Sequence, residues 1–257
     1  MVREMEVRVD NQIHTVVISD EQEALLAAQA DGRAVIGVEP GIGAARIEAA
    51  RYIIPGWEFA TVELADLVLR RHLGLPWNIA RTERLTIREL TAGDIDQIPG
   101  GELEEEEALF GDPQKLPAYI ESQYGFYEYG TWALLGRSRG RLVGLAGVSQ
   151  LRLPPLLEQR LNAFIAKNCP GQPFLELGYH IFRPYRRRGY AQEACREISD
   201  YARQVLCCRV CAVIAQENKA SRRVAESLGM KPLSQSGEFM ETGSGSSEPL
   251  LLYAETR

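Results

Sequence analysis

Leu175-Glu176-Leu177-Gly178-Tyr179-His180-Ile181-Phe182 runs into Arg183-Pro184-Tyr185 and then into Arg186-Arg187-Arg188-Gly189-Tyr190-Ala191, after which residues 190–205 carry a helical pattern. The first segment reads as a strand over 174–182, and the proline turn ends it. A helix beginning directly after a glycine leaves its first backbone N–H groups unpaired and carries a partial positive charge, a combination that holds phosphate oxygens. Gly189 lets the backbone approach a pyrophosphate with no Cβ in the way. The three arginines add positive charge for a polyanion. Strand, loop and helix together read as a pyrophosphate site; the same residues also read as a surface loop of solvated arginines.

Around this segment the patterning is mixed. Residues 131–137 and 141–150 form two strands joined at Ser138-Arg139-Gly140, a link that suits a hairpin. A helix over 156–167 closes at Asn168-Cys169-Pro170-Gly171, a strand covers 207–215, and a helix over 221–228 stops at Gly229. A last strand, 250–254, follows a flexible Gly243-Ser244-Gly245-Ser246-Ser247 loop. Upstream, Leu85, Ile87 and Glu89 alternate as in a half-buried strand, and Thr91-Ala92-Gly93-Asp94 introduces a helix. The acid- and aromatic-rich stretch 102–132 has no legible structure. Residues 1–76 read as a separate small α/β unit with a mostly parallel sheet. Its strands are 13–18, 34–38 and 52–54, with Glu39-Pro40-Gly41-Ile42-Gly43 a loop between the last two. Its helices are 21–30, with Asp20 as N-cap, and 62–73. The unit ends at Gly74-Leu75-Pro76, so the expected division is 1–76 and 80–257, within an α/β (α+β) chain without internal repeats.

The formal net charge is −6 over 257 residues, which removes the basic footprint of a nucleic-acid binder. No run of about 18 apolar residues suggests a membrane span. The opening residues mix charges without an apolar signal core, which points to the cytoplasm. The five cysteines are an odd number, and three crowd into Cys207-Cys208-Arg209-Val210-Cys211. They lack a second C-x-x-C pair or a neighbouring histidine, so with Cys207 and Cys211 on the expected strand they read as small buried apolar residues rather than metal ligands. No metal site is expected, and oligomeric state is not legible.

The loop resembles the cofactor motif of the GNAT superfamily of N-acetyltransferases, (Q/R)-x-x-G-x-(G/A), filled by Arg186, Gly189 and Ala191. Glu217-Asn218-Lys219-Ala220-Ser221 with Val224-Ala225-Glu226-Ser227-Leu228-Gly229-Met230 resembles the family's next motif, N-x-x-S with a terminal G-F. Thr82-Glu83-Arg84-Leu85 and Ile87-Arg88 resemble the opening of the ribosomal-protein N-terminal acetyltransferase branch. The likeness covers about residues 80–257 in four ordered landmarks. It implies a GNAT fold, with a mixed, strongly curved sheet whose two central strands splay apart, and acetyl-CoA as co-substrate. The pantetheine would follow the strand at Tyr179, His180, Ile181 and Phe182. The pyrophosphate would sit on the amides of Arg187, Arg188, Gly189, Tyr190, Ala191 and Gln192, beside Arg186. Asn218 and Ser221 would lie near the pantetheine or the 3′-phosphate ADP end, or simply cap a helix. The first unit faintly resembles the C-terminal half of haloacid-dehalogenase-like phosphatases. It has no D-x-D, and Arg8-Val9-Asp10-Asn11 does not replace one, so it reads as a non-catalytic docking or regulatory module.

Acyl transfer to an amine requires a neutral nucleophile, hence a proton acceptor, and a donor for the developing oxyanion. Glu176 is the candidate base; it reads equally as a structural or substrate-orienting carboxylate. Strand alternation sets Glu176, Gly178 and His180 on one face. His180 titrates near neutral pH or is structural, and Tyr179 and Tyr190 read as packing. Many relatives carry a tyrosine seven residues after the motif asparagine, where this chain has Ala225, so the acid for the leaving thiolate is unassigned. The run Glu104-Glu105-Glu106-Glu107 reads as a solvated helix face, with attraction of a cationic amine as the rival. The resulting expectation is an acetyl-CoA-dependent N-acyltransferase acting on a primary amine of a small molecule or a protein N-terminus, by direct attack in a ternary complex. The alternative is an acyl-CoA-binding sensor or scaffold without turnover.

Overall fold

A computed structural model of the chain describes residues 1–39, 41, 46–233 and 249–256, which fall into two compact units, Met1–Trp77 and Asn78–Arg257. The expected loop at residues 243–247 and parts of that at 39–43 lie outside the described residues.

In the first unit β1 (Val2–Val9) pairs antiparallel with β2 (Gln12–Ser19), and Val9 faces Gln12. The two turn residues, Asp10 and Asn11, both have positive φ (48° and 65°). A two-residue hairpin needs that geometry, and Asp and Asn tolerate it. Helix α1 (Gln22–Ala30) leads to β3 (Ala34–Val38), then β4 (Ile53–Ile54) and α2 (Val62–His72). The sheet order is β1-β2-β3-β4, parallel from β2 onward. Val17 and Val35 pack with Leu25 and Ala28 of α1, whereas Val16, Ile18 and Ile36 pack with Ala65, Val68 and Leu69 of α2. Both faces of β3 are therefore covered and all five of its residues are buried, as a central parallel strand requires. Two expectations are corrected. An antiparallel edge strand, β1, precedes the parallel core. Asp20 does not cap α1: Glu21 holds the N-cap position without a side-chain bond, and the Asp20 carboxylate accepts from the Met1 amine instead.

The second unit is an eight-stranded sheet in the order β11-β12-β10-β9-β8-β7-β6-β5. Strands β5 (Asn78–Arg81) and β6 (Leu85–Glu89) open it. Residues 90–130 then form 3-10 turns at Ala92–Gln97 and Glu105–Gly111, followed by α3 (Lys115–Tyr119) running into a π-helical stretch, Ile120–Tyr127. Fully buried Tyr124 anchors this segment. Its hydroxyl donates to the Thr131 carbonyl and accepts from the Leu90 amide at 3.2 Å. The hairpin β7 (Thr131–Gly136) and β8 (Arg141–Ser149) follows, then α4 (Pro155–Asn168), β9 (Phe174–Ile181), α5 (Tyr190–Gln204), β10 (Arg209–Ala215), α6 (Lys219–Ser227), β11 (Met230–Pro232) and β12 (Leu250–Glu255).

Every neighbouring pair in this sheet is antiparallel except β9 and β10, which α5 connects in parallel. Their pairing is short: Phe174, Leu175 and Glu176 face Arg209, Val210 and Cys211, and no later residue of β9 finds a partner on β10 among the described residues. Beyond Glu176 the two strands part, while β10 continues in register with β12 through Ala215. The sheet is thus mixed and splayed. On one face Leu175, Leu177 and Ile181 pack with Ala194, Cys195, Ile198 and Ala202 of α5, a stripe at helical spacing. On the other, Phe174, Cys211, Leu252 and Ala254 pack with Leu157 and Leu161 of α4. Burial pushes the Cys195 thiol up to about 12 and raises that of Cys211, so these cysteines are inert core residues. Cys207 departs from expectation: it precedes the strand in a left-handed conformation (φ 53°) and is exposed. Among the described residues no helix is long and apolar enough to cross a membrane, and no group of three or more His, Cys, Asp or Glu could hold a metal.

Candidate cofactor loop and acceptor face

The loop joining β9 to α5 takes a 3-10 turn at Arg183–Tyr185 and then two left-handed steps, Arg187 (φ 60°) and Gly189 (φ 80°). Gly189 is the N-cap of α5 and offers no side-chain acceptor. Glu193 is the first helical amide with a backbone acceptor, the Gly189 carbonyl at 3.1 Å. The amides of Tyr190, Ala191 and Gln192 ahead of it are therefore left for a ligand or water.

The three arginines point different ways. Arg186 turns back along β9: its Nε donates to the Ile181 carbonyl at 2.7 Å, and a terminal nitrogen lies 3.6 Å from Glu102 and 3.3 Å from His180 Nε2. Arg188 lies 5.9 Å over the Tyr185 ring, and Arg187 is exposed in its left-handed step. Of the strand residues assigned to a pantetheine, Phe182 is fully buried and its amide already donates to Val143 of β8 (3.1 Å). The Ile181 carbonyl is occupied by Arg186.

Arg84, just ahead of β6, holds the loop from outside. Its Nε donates to Glu193 at 2.6 Å and a terminal nitrogen donates to the Arg188 carbonyl at 2.8 Å. The guanidinium lies 4.9 Å over the Tyr190 ring. Thr82 also donates to Glu193. Burial alone would raise the Glu193 pKa, but Thr82 and Arg84 outweigh it and hold the carboxyl below its ordinary value. A carboxylate in the first turn of α5 would compete for the positive end of the helix that a phosphate needs; paired with Arg84, it is neutralised.

Glu176 is half-buried where the strands part, opposite Cys211 on one side and Ser149 on the other. Two residues on, Gly178 is exposed, and a Cβ built there would meet nothing within 4 Å. Beyond it His180 contacts two carboxylates: Nδ1 lies 2.7 Å from Glu107 and Nε2 3.3 Å from Glu102. Glu102 also accepts from the Arg183 amide at 2.9 Å. The hydrogen bond with Glu107 is the main reason the His180 pKa is raised. At Glu102 burial works the other way, and the Arg183 amide, His180 and Arg186 together still hold the carboxyl below its ordinary range. The run at 104–107 is therefore not simply a solvated face, because Glu107 reaches the strand.

At α6, Asn218 is the N-cap and accepts from the Ser221 amide at 3.0 Å. The Ser221 hydroxyl accepts from the Tyr179 hydroxyl at 3.0 Å, so Tyr179 reaches from β9 to α6 just past the point of parting. Ala225, one turn further along α6, is buried in the core. The sequence reading missed Arg84 and Thr82 as loop supports, Glu102 and Glu107 as partners of His180, and Tyr179 as more than packing. Arg84 and Glu193 are 109 residues apart and Glu102 and His180 are 78 apart, and no periodicity links residues at such distances. The T-E-R-L opening was the one available signal.

The acetyltransferase (GNAT) domain family matches residues 84–231. The uncharacterized protein YkkB of Bacillus subtilis is 32% identical over 127 residues, covering 48% of this chain and 71% of that protein. Among solved structures, the ribosomal-protein-S5-alanine acetyltransferase of Vibrio fischeri aligns with a TM-score of 0.52 at 13% identity, covering 71% of this chain and 96% of that one; it shares the fold. A GNAT-family acetyltransferase from Bacillus anthracis aligns at 0.48 and 18% identity, over 68% of this chain and 96% of that one.

Proposed function

This chain belongs to the GNAT acetyltransferase family, and from that premise we propose that its second unit moves an acetyl group from acetyl-CoA to a primary amine of a small molecule or a protein N-terminus. The observation that carries the reading is the pairing of a stretch of β9 left open on its β10 side with a helix N-terminus whose first amides have no backbone acceptor. Such a terminus suits the pyrophosphate of a CoA thioester. Attack is direct, in a ternary complex. Glu176 takes the proton of the incoming ammonium, directly or through water, from the face it shares with Gly178. The open space over Gly178 supports approach of the amine from that face. The ribosomal-protein branch rests on the Thr82-Glu83-Arg84-Leu85 opening. The first unit takes no part in the chemistry in this reading and serves docking or regulation.

Glu176→Gln tests the base. The expected result is a fall in kcat of about 10²- to 10⁴-fold with loss of the lower limb of the pH profile and acetyl-CoA affinity retained. A wild-type kcat and pH profile would remove Glu176 from that role. Release of free CoA across a panel of amines tests the activity itself: tight acetyl-CoA binding with no turnover on any amine replaces the enzyme by a sensor, the reading that a buried Ala225 in place of the family's tyrosine favours.

A further inference from the structure

The turn between β7 and β8 and the cofactor loop enclose a concavity of about 320 Å³, walled by Ser138, Arg139, Arg141, Tyr185, Arg188 and Tyr190. It lies on the β8 side of β9, whereas the open stretch of β9 faces the side of β10. Three arginines line it and no carboxylate does. Elsewhere in this unit Arg84, Arg88, Arg186 and Arg203 each lie against an acidic side chain. Among the described residues the guanidiniums of Arg139, Arg141 and Arg188 have no such partner. Three exposed guanidiniums around one hollow with no carboxylate in its lining give it a locally positive potential in a chain of net charge −6, which an anion complements. Guanidiniums match the oxygens of a phosphate in geometry as well as charge, and the two tyrosines and Ser138 supply hydroxyl donors.

We propose that this hollow binds a phosphate group. Two carriers bring the same chemistry: the 3′-phosphate of bound CoA, turned toward the β7–β8 hairpin, or a separate phosphorylated small molecule. The first carrier rests on the acetyl-CoA reading above, and the second does not.

The test is the double variant Arg139→Gln/Arg141→Gln, both exposed residues at the hairpin turn, with an unchanged melting temperature as the folding control. Binding of CoA, of 3′-dephospho-CoA and of inorganic phosphate is measured calorimetrically for wild type and variant. If CoA's own phosphate occupies the hollow, the variant binds CoA about tenfold more weakly and dephospho-CoA equally well. If a separate ligand does, CoA-saturated wild type still binds inorganic phosphate and the variant loses it. Unchanged affinity for CoA and for inorganic phosphate, both within twofold, overturns the proposal. Wild type that binds no CoA sinks the cofactor reading alone, and the phosphate arm still judges the hollow.

Discussion

Replacing Arg84 with alanine removes the side chain that, with Thr82, ties the cofactor loop and the start of α5 to the segment ahead of β6. The substitution breaks the ion pair with Glu193, the bond to the Arg188 carbonyl at 2.8 Å and the stacking 4.9 Å over Tyr190. The Arg84 side chain is 44% exposed and that of Glu193 19%, so the ion pair is discounted for solvent to roughly 0.5–1 kcal/mol. The carbonyl bond adds about 1 kcal/mol net and the stacking about 0.5 kcal/mol. These are not independent, and about 2 kcal/mol together is the working figure. Most of it falls on the loop, because the deletion also leaves the Glu193 carboxylate without its arginine at the end of α5 where the pyrophosphate would bind. The expectation is a rise of roughly 10- to 30-fold in the acetyl-CoA Kd by titration calorimetry, with kcat at saturation little changed. The diagnostic is Arg84→Ala/Glu193→Gln: with the stray carboxylate gone, part of the affinity returns, which a role in packing alone does not allow. Arg84→Ala binding acetyl-CoA within twofold of wild type, or a double variant no better than the single, would refute the reasoning.

Further outcomes are expected at His180, Glu102 and Gly178. His180 keeps its proton to higher pH in the folded chain than the ordinary 6.5, so its contribution to stability is full below that value and fades as pH rises through the folded pKa. Glu102 is the reverse: held below the ordinary 4.5, it contributes above that value and is lost as pH falls through its folded pKa. Glu107→Gln should lower the His180 titration midpoint seen by NMR of its ring carbons, and an unmoved midpoint would show that the 2.7 Å contact is not what holds the proton. Gly178→Val fills open space without a clash, so folding and acetyl-CoA affinity should persist while the KM for the amine rises about tenfold or more as room for it shrinks; an unchanged KM would move the acceptor off this face.

The strands and helices around the cofactor loop were largely legible because each carries its own periodicity and punctuation. Gly189 and Gly229 begin or end helices where their positive φ is required, and the hairpin at 136–141 was visible from its polar turn. The edge strand β1 was missed because Asp10-Asn11 is a weaker turn signal than Asn-Gly. The stretch at 102–132 resisted reading because its order depends on distant partners, such as Tyr124 bonding both Leu90 and Thr131.

By itself the sequence determined that a strand, a glycine-broken loop and a helix follow one another at residues 174–204, and so that a helix N-terminus with spare amides would exist. Local backbone preference and hydrophobic spacing suffice for that. Only the tertiary structure decided what surrounds it: that β9 and β10 part after Glu176, that Arg84 neutralises Glu193, that Arg186 turns back to Ile181, and that Glu102 and Glu107 close on His180. These pairings join residues up to 109 positions apart, and their energy depends on through-space distance and burial, which the linear order of side chains does not encode.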